Sequence, residues 1–255
     1  MTADILGVTL HGTGPEPVLV LHDWLGDASS YAPMRPYLDE KRYTYAFADL
    51  RGYGRSLHLR GACTIDEVAA DCLALADHLG WQHFHIMGHS MTGMATQRLA
   101  ASAPSRVKSA IAVCPLSAAG NPLPDEAAAF FGRTCEDDDA FRRLVKYVTG
   151  LSDQWAEVKL RQNRDRVAPQ CRPHYLRMMR TTHFVDEVRG LSTPFLVVVG
   201  DRDPGLDAAT MERTFLAWHP NATLMVMPNC GHYPMQECPP RFAQMIENFL
   251  DSQAG

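Results

Sequence analysis

Apolar positions along the chain cluster into short runs, and these alternate with longer stretches in which apolar residues recur at helical spacing. Ile5 to His11 alternates loosely, Gly12-Thr13-Gly14-Pro15 makes a turn, and Val18-Leu19-Val20-Leu21 reads as a buried strand. Tyr43 to Ala48, His83 to Met87, Val107 to Val113, Pro194 to Gly200 and Ala222 to Met227 predict further strands. Helices are expected over Ala28 to Leu38, Thr64 to Gly80, Ser90 to Ala103, about Ala208 to Trp218, and Arg241 to Leu250. The second of these is the best marked. Thr64 and Glu67 form a capping box, Ile65, Val68, Ala69, Cys72, Leu75, Ala76 and Leu79 keep one face apolar, and Gly80 ends the run.

Apolar strands that alternate with helices imply an α/β fold, a mostly parallel central sheet covered by helices on both faces. The rhythm breaks between Leu116 and about Arg189, where Pro122, Pro124, the acidic run Glu136-Asp137-Asp138-Asp139 and charge-rich helical patterns intervene. The expected organisation is one α/β core, residues 1–115 and 190–255, with a helical cap inserted over 116–189. No internal repeat or low-complexity tract interrupts it.

A chain of 255 residues with 46% hydrophobic content suffices for one sizeable core. Its net charge of −5 offers no basic stripe or tail, which argues against a nucleic-acid partner and leaves a small-molecule substrate. Seven cysteines lie scattered without CxxC spacing, which argues against a disulfide framework or a zinc site, so reduced and mostly buried thiols are expected. Residues 1–6 lack a basic leader region and no apolar run approaches membrane-spanning length, so neither signal peptide nor anchor is expected, and the location is expected to be cytoplasmic.

The candidate chemistry centres on Ile86-Met87-Gly88-His89-Ser90-Met91-Thr92-Gly93, where a strand runs into a serine flanked by small residues and then into a helix. A glycine two residues before Ser90 and another three after permit a sharp turn that holds the hydroxyl clear of the sheet. An ordinary helix N-cap would also use serine here. A serine hydroxyl is a poor nucleophile and needs a base, an orienting acid and oxyanion donors. His232, just beyond the last strand, is the candidate base. Asp203 is the preferred acid and Asp201, two residues earlier, its rival. The Met91 and Trp24 backbone N–H groups are the candidate oxyanion donors. His22 is expected to brace the Trp24 loop, and the Asp23 side chain to point away from a site that stabilises negative charge. Thr92 stands where the G-x-S-x-G pattern has its second glycine, near the steric limit. In the insertion, Trp155, Met178, His183 and Phe184, with His174, Tyr175 and Met179, are candidates for a pocket wall, to which His22 also contributes. No residue there stands out as an anchor for a substrate carboxylate.

These segments together resemble the α/β-hydrolase fold family over nearly the whole chain. The resemblance rests on Leu21-His22-Asp23-Trp24, Asp49-Leu50-Arg51-Gly52-Tyr53-Gly54-Arg55-Ser56, Gly88 to Gly93, Gly200 to Pro204 and Gly231-His232, in that order. It implies Ser90 as nucleophile, Asp203 as acid and His232 as base, with Trp24 and Met91 as oxyanion donors and no metal or cofactor. The similarity is strongest to small-cap esterases, enol-lactonases and cofactor-free haloperoxidases. A serine rather than an aspartate at position 90 argues against epoxide hydrolases and haloalkane dehalogenases. The departures are Asp23 and Thr92 in place of glycines, and one strand fewer than the usual eight. The implied activity is hydrolysis of a small carboxylic ester or lactone. Thioester or C–C bond hydrolysis, a cofactor-free oxygenase or lyase with His232 as base, and a ligand receptor are the alternatives.

Overall fold

The computed structural model describes residues 4–253. Strands β1 (Val8–His11), β2 (Glu16–Leu21) and β3 (Tyr43–Ala48) are followed by helix α1 (Ile65–His78), strand β4 (Phe84–His89), helix α2 (Gly93–Ser102) and strand β5 (Val107–Val113). Five helices come next: α3 (Asp125–Thr134), α4 (Asp138–Thr149), α5 (Asp153–Arg166), α6 (Cys171–Thr181) and α7 (Val185–Val188). The chain then returns to the sheet through β6 (Phe195–Gly200), α8 (Ala208–Arg213), α9 (Phe215–Trp218) and β7 (Ala222–Met227), and closes with α10 (Pro234–Glu237) and α11 (Pro239–Gln253). The seven strands form one sheet in the order β1-β3-β2-β4-β5-β6-β7, in which β1 is antiparallel to β3 and the other pairs are parallel.

The inner strands bury both faces, and their period of two sorts side chains into two cores. Leu19, Leu21, Ala46, Ile86, Ala112 and Val197 pack against the apolar faces of α1 and α2. Val18, Val20, Phe47, Met87, Ile111 and Val198 pack against Phe242, Ala243, Ile246 and Leu250 of α11. Because the neighbouring strands are parallel, their C-terminal ends lie along one edge: Leu21 pairs with Ala48 and Gly88, and His89 with Val113. Every loop with candidate chemistry leaves the sheet from that edge.

The structure departs from the sequence pattern in three places. Residues Ala28 to Leu38 form two short 3-10 turns, Ala28–Tyr31 and Arg35–Tyr37, instead of a helix, since Pro33 and Pro36 remove backbone donors an α-helix needs. The helix expected over Ala208 to Trp218 is broken at Thr214, where φ −117° and ψ −89° depart from helical values. Ser90 opens with a 3-10 turn, Ser90–Thr92, before α2 begins.

The helices α3–α7 lie between β5 and β6 in the chain and are fastened to the loops at the C-terminal edge. The Trp24 indole N–H donates to the Arg172 carbonyl (2.9 Å), Asn163 donates to the Leu25 carbonyl (3.0 Å), and Arg166 pairs with Asp27 (3.0 Å). Among the described residues no helix is long and apolar enough to cross a membrane.

Gly200 shows how tightly the loop after β6 meets the one after β7: a Cβ here would collide with the carbonyl oxygens of Cys230 and Gly231. Gly200→Ala is expected to destabilise the fold by about 1–3 kcal/mol through overpacking. The midpoint of urea unfolding measures it, and an unchanged midpoint would contradict the close approach.

Candidate active site

The first element of the site is a strained turn. Ser90 sits at φ +53°, in the left-handed region a non-glycine residue enters at a cost of about 1–3 kcal/mol. Neighbouring contacts hold it there. A Cβ at Gly88 would collide with the Thr92 carbonyl and one at Gly93 with Pro115, while the Ser90 carbonyl accepts from Leu116 N–H at 2.9 Å. Thr92 is no intruder: its hydroxyl accepts from His89 N–H (2.9 Å) and lies within donating distance of the carbonyls of His22 (2.9 Å), His89 (3.1 Å) and Leu21 (3.2 Å). The residue that stands for a glycine thus ties the turn to the loop after β2. Met91 N–H falls in the first turn, where a backbone donor has no partner within the helix.

His232 Nδ1 and Asp203 Oδ2 are 2.6 Å apart. An ionised carboxylate only accepts, so Nδ1 carries the proton and Nε2 is left free to take one. Burial opposes ionisation of Asp203, but His232 and the N–H groups of Gly205 and Leu206 outweigh it and lower its pKa to about 2. Burial likewise disfavours a charged His232, yet Asp203 and then Asp23 and Glu237 more than compensate, so its pKa is raised. Asp201, the rival, is exposed and accepts from Cys230 N–H at 3.2 Å, which fastens the turn. The His232 loop has its own clamp in Glu237, whose carboxylate accepts from Gly231 N–H (2.7 Å) and Tyr233 N–H (2.9 Å), while His232 N–H donates to the Val148 carbonyl of α4 (3.2 Å).

Asp23 does not point away. Its side chain is buried at the edge of the cavity, where Oδ2 accepts from the Tyr233 hydroxyl (2.5 Å) and from Leu25 N–H (3.1 Å). Across from it lies Lys159 of α5, 1% exposed, with Nζ 3.3 Å from Ser30 Oγ and 4.5 Å from the Tyr233 ring centre. Gly26 leaves room for this convergence, since a Cβ there would stand 2.8 Å from Ser30 Oγ, 2.9 Å from Lys159 Nζ and 3.4 Å from Asp23 Oδ1. Burial would raise the Asp23 pKa; Lys159, His89, the Tyr233 hydroxyl and His22 together hold it well below the carboxylate range. Burial pulls Lys159 down, and Asp23 and Asp27 oppose the pull. His89, driven to a pKa of about 3 chiefly by burial, is neutral and donates from Nε2 to the His232 carbonyl at 2.7 Å. Its Nδ1 faces Asp23 Oδ1 at 3.9 Å. A charge-compensated cluster therefore packs directly behind His232 and Trp24.

Ser90, Asp203, His232 and Trp24 line one cavity of about 310 Å³, closed mainly by Leu25, Leu116, Phe131, Leu144, Leu176, Met179 and Leu206. Several pocket candidates lie elsewhere. His22 braces the loop, with Nδ1 donating to the Asp23 carbonyl (2.7 Å) and Nε2 accepting from Leu50 N–H (3.1 Å). Trp155 packs edge-on against Tyr233, 5.3 Å between ring centres. Met178, His183 and Phe184 line a separate groove with Arg98 and His174. The reason is the turn of α6: Leu176, Met179 and Arg180, spaced i, i+3, i+4, face the cavity, and Met178 lies on the adjoining face. Sequence reasoning missed Lys159, although it falls on the buried stripe Ala156, Lys159, Leu160, Asn163 of α5, a spacing that marks an inward-facing lysine. It also missed Tyr233 and Glu237, which only the folded loop reveals as partners.

Cys114, Asp203 and His232 bring potential metal-ligand atoms within 4.8 Å of one another. They suit a resident metal poorly, because Asp203 and His232 Nδ1 already satisfy each other and burial holds the Cys114 thiol protonated.

A family model described as alpha/beta hydrolase fold matches residues 16–237, most of the chain. The chain belongs to the α/β-hydrolase fold family. It is 27% identical to a non-heme haloperoxidase of Rhodococcus erythropolis, over 87% of this chain and 86% of that protein. It is also 27% identical to a pimeloyl-(acyl-carrier protein) methyl ester esterase of Yersinia enterocolitica, over 93% of this chain and 94% of that one. A third relative, the dihydrolipoyllysine-residue acetyltransferase component of the acetoin cleaving system of Pseudomonas putida, is 27% identical over 94% of this chain, which spans only 65% of its length. Among solved structures the α/β-hydrolase fold of this chain matches that of a hydrolase from Oleispira antarctica with a TM-score of 0.85, covering 96% and 94% of the two chains at 17% identity.

Within this member of the family the buried pair generates a stability prediction. Lys159→Met removes the buried positive charge that helps keep Asp23 ionised and is expected to lower stability. Asp23→Asn combined with Lys159→Met should recover most of that loss, as read from urea unfolding. Additive losses in the double variant would contradict the pairing.

Proposed function

We propose that the protein is a serine hydrolase that cleaves a small carboxylic ester or lactone through an acyl-enzyme. The observation that carries this reading is the meeting, in one largely apolar cavity, of a serine held at φ +53° and a histidine whose Nδ1 is bound to a carboxylate. Ser90 Oγ attacks the ester carbonyl carbon as His232 Nε2 takes its proton. Asp203 keeps the ring in the reactive tautomer and stabilises the imidazolium that forms. Negative charge developing on the carbonyl oxygen is met by the N–H groups of Met91 and Trp24. The imidazolium returns its proton to the departing alkoxide, and a water activated by the same nitrogen releases the acid. The helices α3–α7 act as a cap that excludes bulk water from these steps. Asp23 is tolerable beside the developing oxyanion because Lys159 and the Tyr233 hydroxyl answer its charge. The esterase name of the Yersinia relative supports the reaction class.

Hydrolysis of p-nitrophenyl esters of increasing acyl length tests this directly. Wild type should turn over short acyl chains and Ser90→Ala should lose at least 10³-fold in kcat. A mutant as active as wild type would shift the reading to deprotonation by His232 alone.

The acid limb of the pH profile gives a second check. His232 works as a base only when unprotonated, and its pKa is raised, so kcat/KM should climb with pH through an inflection above the ordinary histidine value of about 6.5. A profile flat from pH 5 to 9, or an inflection well below 6, would contradict the assignment.

A further inference from the structure

We infer that the substrate carries a carboxylate at the end remote from the scissile bond, and that Arg180 at the cavity rim reads it. This deepens the serine-hydrolase reading and rests on it for the identity of the reacting end. The cavity wall is apolar except for the groups already placed around Ser90 and three others: Asn121, Tyr147 and Arg180. The two acidic residues on the wall have their charges answered, Asp203 by His232 and Asp23 by Lys159 and Tyr233. Arg180 does not. Arg142 is engaged with Glu157, Arg164 with Asp138, Arg166 with Asp27 and Arg172 with backbone carbonyls; Arg133, Arg143, Arg161 and Arg177 also lack a carboxylate partner among the described residues, but Arg180 is the arginine that lines this cavity. Among the described residues Arg180 has no carboxylate partner and no side-chain hydrogen bond. The lining of an otherwise largely apolar cavity therefore carries one positive charge that no carboxylate answers.

Geometry gives that charge company. Asn121 N–H donates to the Met179 carbonyl at 2.8 Å, which docks the loop after β5 onto the last turn of α6, and Asn121 lines the same cavity as Arg180. Tyr147 of α4 is 67% exposed yet borders the same cavity. A guanidinium offers paired N–H donors matched to a carboxylate, and an amide and a phenol add two more. An arginine in the last turn of a helix also complements the helix dipole. That role would affect stability and leave substrate choice untouched, so the two are separable.

The experiment compares monomethyl esters of aliphatic dicarboxylic acids of increasing length with methyl alkanoates of the same length, on wild type, Arg180→Gln and Arg180→Lys. Wild type should favour the charged ester by about tenfold or more in kcat/KM at the best length. Arg180→Gln should remove the preference through KM with kcat retained, Arg180→Lys should restore part of it, and the neutral esters should not respond to either change. Equal effects on both ester series, or no preference in wild type that cleaves neutral esters, would overturn the inference while leaving the hydrolase reading intact. Calorimetric binding of adipate against the uncharged adipamide reads the same recognition without turnover. Adipate bound by wild type and lost in Arg180→Gln would sustain the anion site even if no ester were cleaved, an outcome that sinks the hydrolase reading alone. Adipamide bound as well as adipate, or neither bound, would overturn it.

Discussion

The left-handed backbone at Ser90 is the constraint on which the site depends. A serine costs free energy there, and it stays only because its surroundings leave the chain no other path. Gly88 and Gly93 allow β4, the turn and the segment after β5 to approach more closely than any side chain would permit. The Thr92 hydroxyl accepts from His89 N–H at the end of β4 and has its single proton within reach of carbonyls at the end of β2, so the turn and the loop bearing Trp24 are held by one hydroxyl. Strain at a single residue is thus sustained by the whole parallel sheet, which sets the C-terminal ends of its strands side by side.

Electrostatics organises the next layer. A carboxylate buried at the edge of a cavity is costly unless partners answer its charge. Here Asp23 is buried, hydrogen-bonded to Tyr233 and faced by a lysine delivered from α5. The same cluster reaches His232, because neutral His89 donates to its carbonyl and Tyr233 is its neighbour in the chain. The inserted helices therefore do more than roof the cavity. They supply the cation that makes Asp23 compatible with its position, a backbone acceptor for His232 N–H, and anchors for Trp24 and Leu25. Moving these helices would disturb both the charge balance and the loop geometry, since burial is what gives each contact its strength.

Much of this was legible in the sequence. Runs of apolar residues located the strands of the sheet, and the glycine spacing around Ser90 pointed to a sharp strand-to-helix turn. These features are local: periodicity and backbone sterics act between residues close in the chain. Errors arose where local signals conflicted, as at Ala28 to Leu38, where two prolines outweighed a helical pattern. The short helices around Thr214 were equally opaque, because the break lies in a backbone angle that no residue type there demanded.

What only the tertiary structure decided was which buried group meets which. The charge-rich helical patterns of the insertion announced helices there but not that Leu176, Met179 and Arg180 would face the cavity and Met178 a different groove. Asp23 meets Tyr233 across 210 positions of sequence, and Trp24 meets Arg172 across 148. A side chain's own pattern encodes whether it is buried. Its partner, and with it the charge, tautomer and reach of every group around Ser90, depends on distant segments packing at close distance, which no local period records.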